Sequence, residues 1–217
     1  MTPVRTAILV SGRGSNMVSL LEAARDDSAF PAAFSLVVSN RPGVLALERA
    51  AAFGVPTDVI DHKAFADRES FDRALSARLE AAGIELICLA GFMRLLTPWL
   101  VEHWRDRMLN IHPAILPAFK GLHTHERALE AGVKLHGCTV HLVRSEMDAG
   151  PIIAQAAVPV LSGDTPDSLG ARVLGAEHRL YPHALRLWAS GRATLEGERV
   201  FVDGEAGAAA ALIAPGL

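Results

Sequence analysis

The sequence predicts an α/β fold built on an open, doubly wound sheet, parallel in its N-terminal half and partly antiparallel in its C-terminal half. Short, continuously apolar runs at 6–10, 34–38 and 86–90 read as strands buried on both faces. Stretches with helical spacing separate them, as in successive βαβ units. Further along, the acidic turn 145–151 joins two strand-like runs too closely for a crossover, so that pair is antiparallel.

Taken in order, Thr6–Val10 leads straight into Ser11-Gly12-Arg13-Gly14-Ser15-Asn16 and a helix from Met17 to about Arg25. Glycines let the backbone approach a ligand closely, and a helix N-terminus offers N–H groups and partial positive charge. The combination is a phosphate cradle. No Gly-Lys-Ser/Thr follows, so it is not a nucleoside-triphosphate loop. The third glycine of a dinucleotide fingerprint would fall on Met17, and Phe34–Val38 ends in Ser39-Asn40-Arg41 without the ribose-binding acid. A small monophosphate fits better; a merely tight strand–helix turn is the plainer alternative. Leu45–Phe53 reads as a helix closed by Gly54, and Thr57–Ile60 as a third strand. Asp67 caps a helix that carries Phe71, Leu75 and Leu79 on one stripe and stops at Gly83. Arg68 lies in its first turn, where a solvated charge is the ordinary reading.

Leu86–Ala90 ends in Gly91-Phe92-Met93-Arg94-Leu95-Leu96, which either lines a pocket for a flat ring or packs beneath the next helix. That short helix starts at Thr97-Pro98 and ends near Trp104. Met108–Ile111 is then a buried strand interrupted by Asn110 and ending at His112, where Pro113 and Pro117 forbid regular structure. An amide and an imidazole are thereby delivered to a strand's carboxyl end, where open α/β sheets hold their ligands. The loop 113–124 follows, with His125 opening a helix that ends at Gly132. A His123-x-His125 metal site with His112 as third ligand lacks a carboxylate or cysteine at supporting spacing, so no metal is expected.

His136–Arg144 alternates as a strand, with His141 read as a satisfied strand histidine. Asp148 sits in the constrained turn before the returning strand Ile152–Val160. Composition alone makes it an ordinary turn aspartate. Thr165-Pro166 starts the longest helix, to about Trp188, with a kink or restart expected at Pro182. Glu177 and His178 are mid-helix and face either solvent or a site. Residues 192–204 read as a terminal hairpin, and 205–217, rich in Ala and Gly, as loosely held.

The 217 residues, enough for one large domain or two halves sharing a sheet, are 50% hydrophobic and 21% charged, ordinary for a globular enzyme. A net charge of −3 gives no general attraction to nucleic acid or anionic membrane. Cys88 and Cys138, both inside apolar runs, read as structural thiols in a reducing cytosol. With no signal-peptide pattern and no run of about 18 apolar residues, a cytoplasmic protein without membrane contact is expected.

Seven segments in register then form a set: Ser11–Asn16, Leu89–Leu96, Leu109–Pro113, Gly121–His125, Gly137–His141, Asp148–Pro151 and Glu177-His178. Across about residues 5 to 192 they resemble the phosphoribosylglycinamide formyltransferase family, folate-dependent enzymes of purine synthesis. The resemblance implies a Rossmann-like half continuing into the partly antiparallel half, the formyltransferase fold. It implies a single domain over 1–192, with a phosphate-binding half at 1–104 and a catalytic and folate half at 105–192.

The implied activity is formyl transfer from 10-formyltetrahydrofolate, the co-substrate, to the amine of glycinamide ribonucleotide. Asn110, His112 and Asp148 match the family's catalytic residues. Gly12, Arg13, Gly14, Ser15, Asn16 and Glu177 are the implied substrate-binding positions, with Arg13 where members vary. Arg68, Met93, Arg94, Leu95, Leu96, Asn110, Arg144, Glu146 and Asp148 are those implied for folate. Leu174 stands where some relatives carry a polar group touching the nucleotide. The implied partners are these small molecules alone, with a monomer or weak homodimer and no nucleic acid. Two relatives that share the same core, a formate-releasing hydrolase and a methionyl-tRNA formyltransferase, carry extra domains that this slightly acidic chain does not suggest. A binding module without turnover and a nicotinamide oxidoreductase are the readings from other classes.

Overall fold

The computed structural model describes residues 2–204 and 213–215, so the expectation for the tail falls almost wholly outside the described residues. Seven strands form one sheet in the order β3-β2-β1-β4-β5-β6-β7: β1 Val4–Val10, β2 Ala32–Ser39, β3 Thr57–Val59, β4 Leu86–Leu89, β5 Met108–His112, β6 Leu135–Leu142 and β7 Ile152–Pro159. β1 through β5 pair in parallel, whereas β6 and β7 pair antiparallel, as the short 145–151 connection requires.

The chain divides into two compact units, Met1–Asn110 with Leu142–Glu146, and Ile111–His141 with Met147–Leu217. In the first, the helices are α1 Ser15–Asp26, α2 Leu45–Ala52, α3 Arg68–Ala81 and α4 Pro98–His103. α3 starts in a reciprocal capping box between Asp67 and Ser70 and stops at Gly83, whose φ is +65°. Its stripe Phe71, Leu75 and Leu79 is fully buried against Ala7, Leu9, Leu36, Ile87 and Trp104. Burial of that kind contributes roughly 1.5–3 kcal/mol per side chain. The Trp104 indole N–H donates to Ser76 Oγ at 3.0 Å, so the core's largest ring leaves no orphan donor.

The second unit contains α5 Thr124–Glu130, the β6–β7 pair, α6 Pro166–Ala189 and a separate hairpin, β8 Ala193–Glu196 with β9 Arg199–Val202. β6 is buried on both faces, so its alternation in sequence does not mark a solvent side. Thr139 Oγ1 donates to Ala114 O at 2.7 Å and accepts from Leu116 N at 3.0 Å, pinning the proline loop that follows β5. Gln155 Nε2 on β7 donates to Leu116 O at 2.8 Å and closes the same network.

Two expectations change. α6 is one helix of 24 residues that runs through Pro182 without a restart. A proline deletes one N–H, and the buried flank of Leu180, Tyr181, Ala184 and Leu185 holds the helix across that gap. α5 starts at Thr124 rather than at His125, because His123 takes a left-handed conformation at its N-cap. Among the described residues no helix is long and apolar enough to cross a membrane.

Candidate active site

In the N-terminal unit the glycine turn expected to receive phosphate is made of backbone. β1 stops at Val10, and Gly14, at φ +72° and ψ 31°, turns the chain left-handed into α1. No side chain caps α1, so the task of meeting its first N–H groups is not taken by a Ser or Asp hydroxyl or carboxylate at the N-cap. A Cβ at Gly14 would lie 2.7 Å from Ala46 Cβ and 3.1 Å from its Cα, so α2 presses on the turn there. α2 also grips the turn by hydrogen bonds, Ala46 N to Gly12 O at 3.1 Å and the Arg49 guanidinium to Arg13 O at 3.0 Å. Gly12, Gly14, Ser15 and Asn16 thus belong to one fixed turn, with the Arg13 side chain exposed beside it.

The loop after β4 meets this turn: Met93 N donates to Ser11 Oγ at 2.8 Å. Met93 and Leu95 are 69% and 58% exposed, a large apolar surface to leave open. The Arg94 guanidinium lies over the Phe71 ring, 4.6 Å from its centroid. At the loop's end Thr97 N and Oγ1 both donate to Asp72 Oδ2 at 2.7 Å. Asp72 is buried, and burial pushes its carboxyl up, the Thr97 hydrogen bonds opposing. Arg68 is exposed in the first turn of α3. Arg144 is engaged elsewhere, its Nη2 donating to Asp106 Oδ1 at 2.8 Å, and Glu146 is exposed.

The second unit supplies titrating side chains. His112, 5% exposed at the end of β5, holds Asp148 Oδ2 3.4 Å from its Nδ1. Its Nε2 lies 3.0 Å from Phe119 O, an acceptor, so that nitrogen carries a proton. Both N–H groups of an imidazolium would therefore face an oxygen. Asn110 lies two residues earlier on the same strand, and strand alternation turns both side chains to one face.

Asp148 has φ +52°, a left-handed conformation uncommon outside Gly, Asn and Asp. Its Oδ2 accepts Gly121 N–H at 2.8 Å, and His141 Nε2 stands 3.8 Å from its Oδ1. Sequence alternation had left His141 as an ordinary strand residue, and only the turn's geometry brings it to Asp148. His123 is at the surface, 3.5 Å from Glu126. His125 and His136 form a separate edge-on pair with ring nitrogens 3.3 Å apart. Burial first, then the charge of His125, holds the His136 imidazole down to about 4, so both rings are neutral near pH 7. Among the described residues no group of three or more His, Cys, Asp or Glu is placed to hold a metal ion.

Glu177 is 6% exposed on α6. Burial, and secondarily the Glu177 carboxylate, pushes the Cys138 thiol up to about 12, which removes it as a nucleophile. Leu174, half-buried one turn earlier, offers no polar atom on its side chain.

The sheet is open and mostly parallel, with a left-handed glycine turn after β1 and His112 beside Asp148 at the end of β5. Residues 4–185 match the family model described as formyl transferase, and the chain belongs to that family. It is 40% identical over 198 residues to the phosphoribosylglycinamide formyltransferase of Escherichia coli, covering 91% of this chain and 93% of that one. It is 50% identical over 195 residues to the trifunctional purine biosynthetic protein adenosine-3 of Drosophila melanogaster, covering 89% of this chain but only 14% of that far longer protein. Among solved structures, glycinamide ribonucleotide transformylase 1 from Symbiobacterium toebii superposes with a TM-score of 0.89 at 47% identity, over 92% of this chain and 94% of that one.

Proposed function

We propose that this chain transfers the formyl group of 10-formyltetrahydrofolate to the primary amine of glycinamide ribonucleotide, a step of purine synthesis. The observation that carries the reading is the His112–Asp148 pair at 3.4 Å, with Asn110 two residues away on the same strand face. Residues 1–192 act as one formyltransferase domain in this reading, working on small molecules in the cytoplasm as a monomer or weak homodimer.

The neutral amine attacks the formyl carbon, forming a C–N bond and placing a negative charge on the formyl oxygen. The Asn110 amide donates to that oxyanion without titrating. The attacking nitrogen must lose a proton, and the folate N10 must gain one as its bond to the formyl carbon breaks. The His112–Asp148 pair carries that proton. Its left-handed turn and the Gly121 N–H hold the carboxylate in place, and the Phe119 carbonyl orients the ring. Gly12–Asn16 receive the 5′-phosphate, with Glu177 toward the ribonucleotide. Arg68, Met93–Leu96, Arg144 and Glu146 surround the folate.

The test is a turnover assay with 10-formyltetrahydrofolate and glycinamide ribonucleotide, with water and other phosphorylated amines as control acceptors. Formylated glycinamide ribonucleotide is the expected product. Formate released with no formylated nucleotide would make the chain a hydrolase instead, and folate binding without turnover would make it a binding module.

A further inference from the structure

One buried hydroxyl lies between the two loops of the N-terminal unit. Ser11, 6% exposed, is the first residue after β1. Its Oγ donates to Asn40 Oδ1 at 2.6 Å and accepts the Met93 N–H at 2.8 Å. The direction is fixed, because a backbone N–H only donates and an amide oxygen only accepts. The order runs from Met93 through Ser11 to Asn40. Asn40 is 2% exposed and is held in turn by the loop after β3, where His62 Nδ1 lies 2.8 Å from its carbonyl oxygen.

The other end of the Met93–Leu96 segment is tied differently. Thr97 is fixed to Asp72 on α3 by two hydrogen bonds of 2.7 Å, independently of the glycine turn. The segment is therefore tied to α3 at one end and, through the Ser11 hydroxyl, to the glycine turn at the other. Removing that hydroxyl would leave a part-buried N–H and a buried amide oxygen without their partner, and the exposed Met93 would be the part able to move.

We propose that Ser11 is a positioning residue that couples the two loops, so that phosphate in the Gly12–Asn16 turn favours the folate-receiving arrangement of Met93–Leu96. This rests on the ligand assignments made under Proposed function. Ser11 itself touches no reacting atom in that mechanism; it acts through Gly12 on one side and Met93 on the other.

Titration calorimetry with folic acid, at zero and at saturating inorganic phosphate, reads the coupling without any turnover. In the unaltered protein phosphate should tighten folate roughly fivefold or more, the lower end of usual coupling between sites. Ser11→Ala should bring that factor close to one, and Ser11→Thr, which keeps the hydroxyl, should restore most of it. In steady-state assays Ser11→Ala should raise KM for the formyl donor by more than it lowers kcat. A purely structural hydroxyl would lower the melting temperature of Ser11→Ala and leave the factor unchanged, which would overturn the proposal. So would the absence of coupling, or of folate binding, in the unaltered protein. If coupling is present but no formylated nucleotide forms, the transferase reading fails while the role of Ser11 stands.

Discussion

The Ser11–Asn16 turn and the Met147–Pro151 turn both redirect the chain at a strand end, but one presents backbone and the other a side chain. At the first, Gly14 is left-handed because nothing larger fits beneath Ala46, and what faces outward is a helix start. At the second, Asp148 is left-handed although it has a side chain, and that side chain points back to His112 and accepts the Gly121 N–H. Backbone donors suit a phosphate, whose charge is fixed and spread over several oxygens. A carboxylate beside an imidazole suits a proton that must arrive and leave. In the proposed function one turn therefore binds and the other reacts, and each is sensitive to a different kind of substitution.

The largest effect expected of a single change is on the strand pair beneath the reactive turn. A Cβ at Gly137 would sit 1.8 Å from Ala156 O, backbone against backbone, with no side chain able to yield. Gly137→Ala should cost at least about 3 kcal/mol, the upper end of usual overpacking, or prevent folding. A chemical melt within 1 kcal/mol of the unaltered protein would show that β6 and β7 can part without harm.

At the binding turn the expected loss is in affinity first. Gly14→Ala meets Ala46 and also forces a side chain to φ +72°. It should raise KM for the ribonucleotide at least about tenfold, with a stability loss of roughly 1–3 kcal/mol. A raised KM for the formyl donor alone would reverse the roles given to the two loops.

How much of this contrast was legible in the sequence follows from its materials. Glycine spacing after an apolar run announces a backbone cradle, because only backbone geometry is at stake. Asn110 and His112 were legible as a pair, since two residues on one strand share a face. Asp148 read as an ordinary turn aspartate by composition, and only the register of seven matching segments singled it out. The neighbours of the pair, Phe119 O on His112 and His141 beside Asp148, were not legible. They depend on where an irregular loop returns, and no periodicity encodes that. The restart offered at Pro182 does not occur for a related reason: local propensity argues for a break, and the buried flank of α6 outweighs it.

A smaller effect concerns pH. His136 is 1% exposed and meets His125, the Phe119 ring edge and the Pro113 carbonyl, with the charge of His112 also acting on it. Its folded imidazole titrates at about 4, below the roughly 6.5 of an unfolded chain. Between these values the unfolded state binds a proton that the folded state refuses. The stability contributed by neutral His136 is therefore complete above about pH 6.5 and is lost as pH falls toward 4. Denaturant midpoints measured across that window should fall less steeply for His136→Asn than for the unaltered protein. Parallel slopes would show that His136 takes no part.

The contrast between a binding turn and a reacting turn is tested most directly by steady-state kinetics of Asp148→Asn. Asparagine tolerates the left-handed conformation and keeps nearly the same shape, so the melting temperature should stay within a few degrees. With the carboxylate gone from beside His112, kcat should fall by about a hundredfold to a thousandfold, as when one preorganised group is lost. KM for the ribonucleotide, set at the other turn, should change far less. A kcat close to that of the unaltered protein would remove Asp148 from the chemistry and contradict the account.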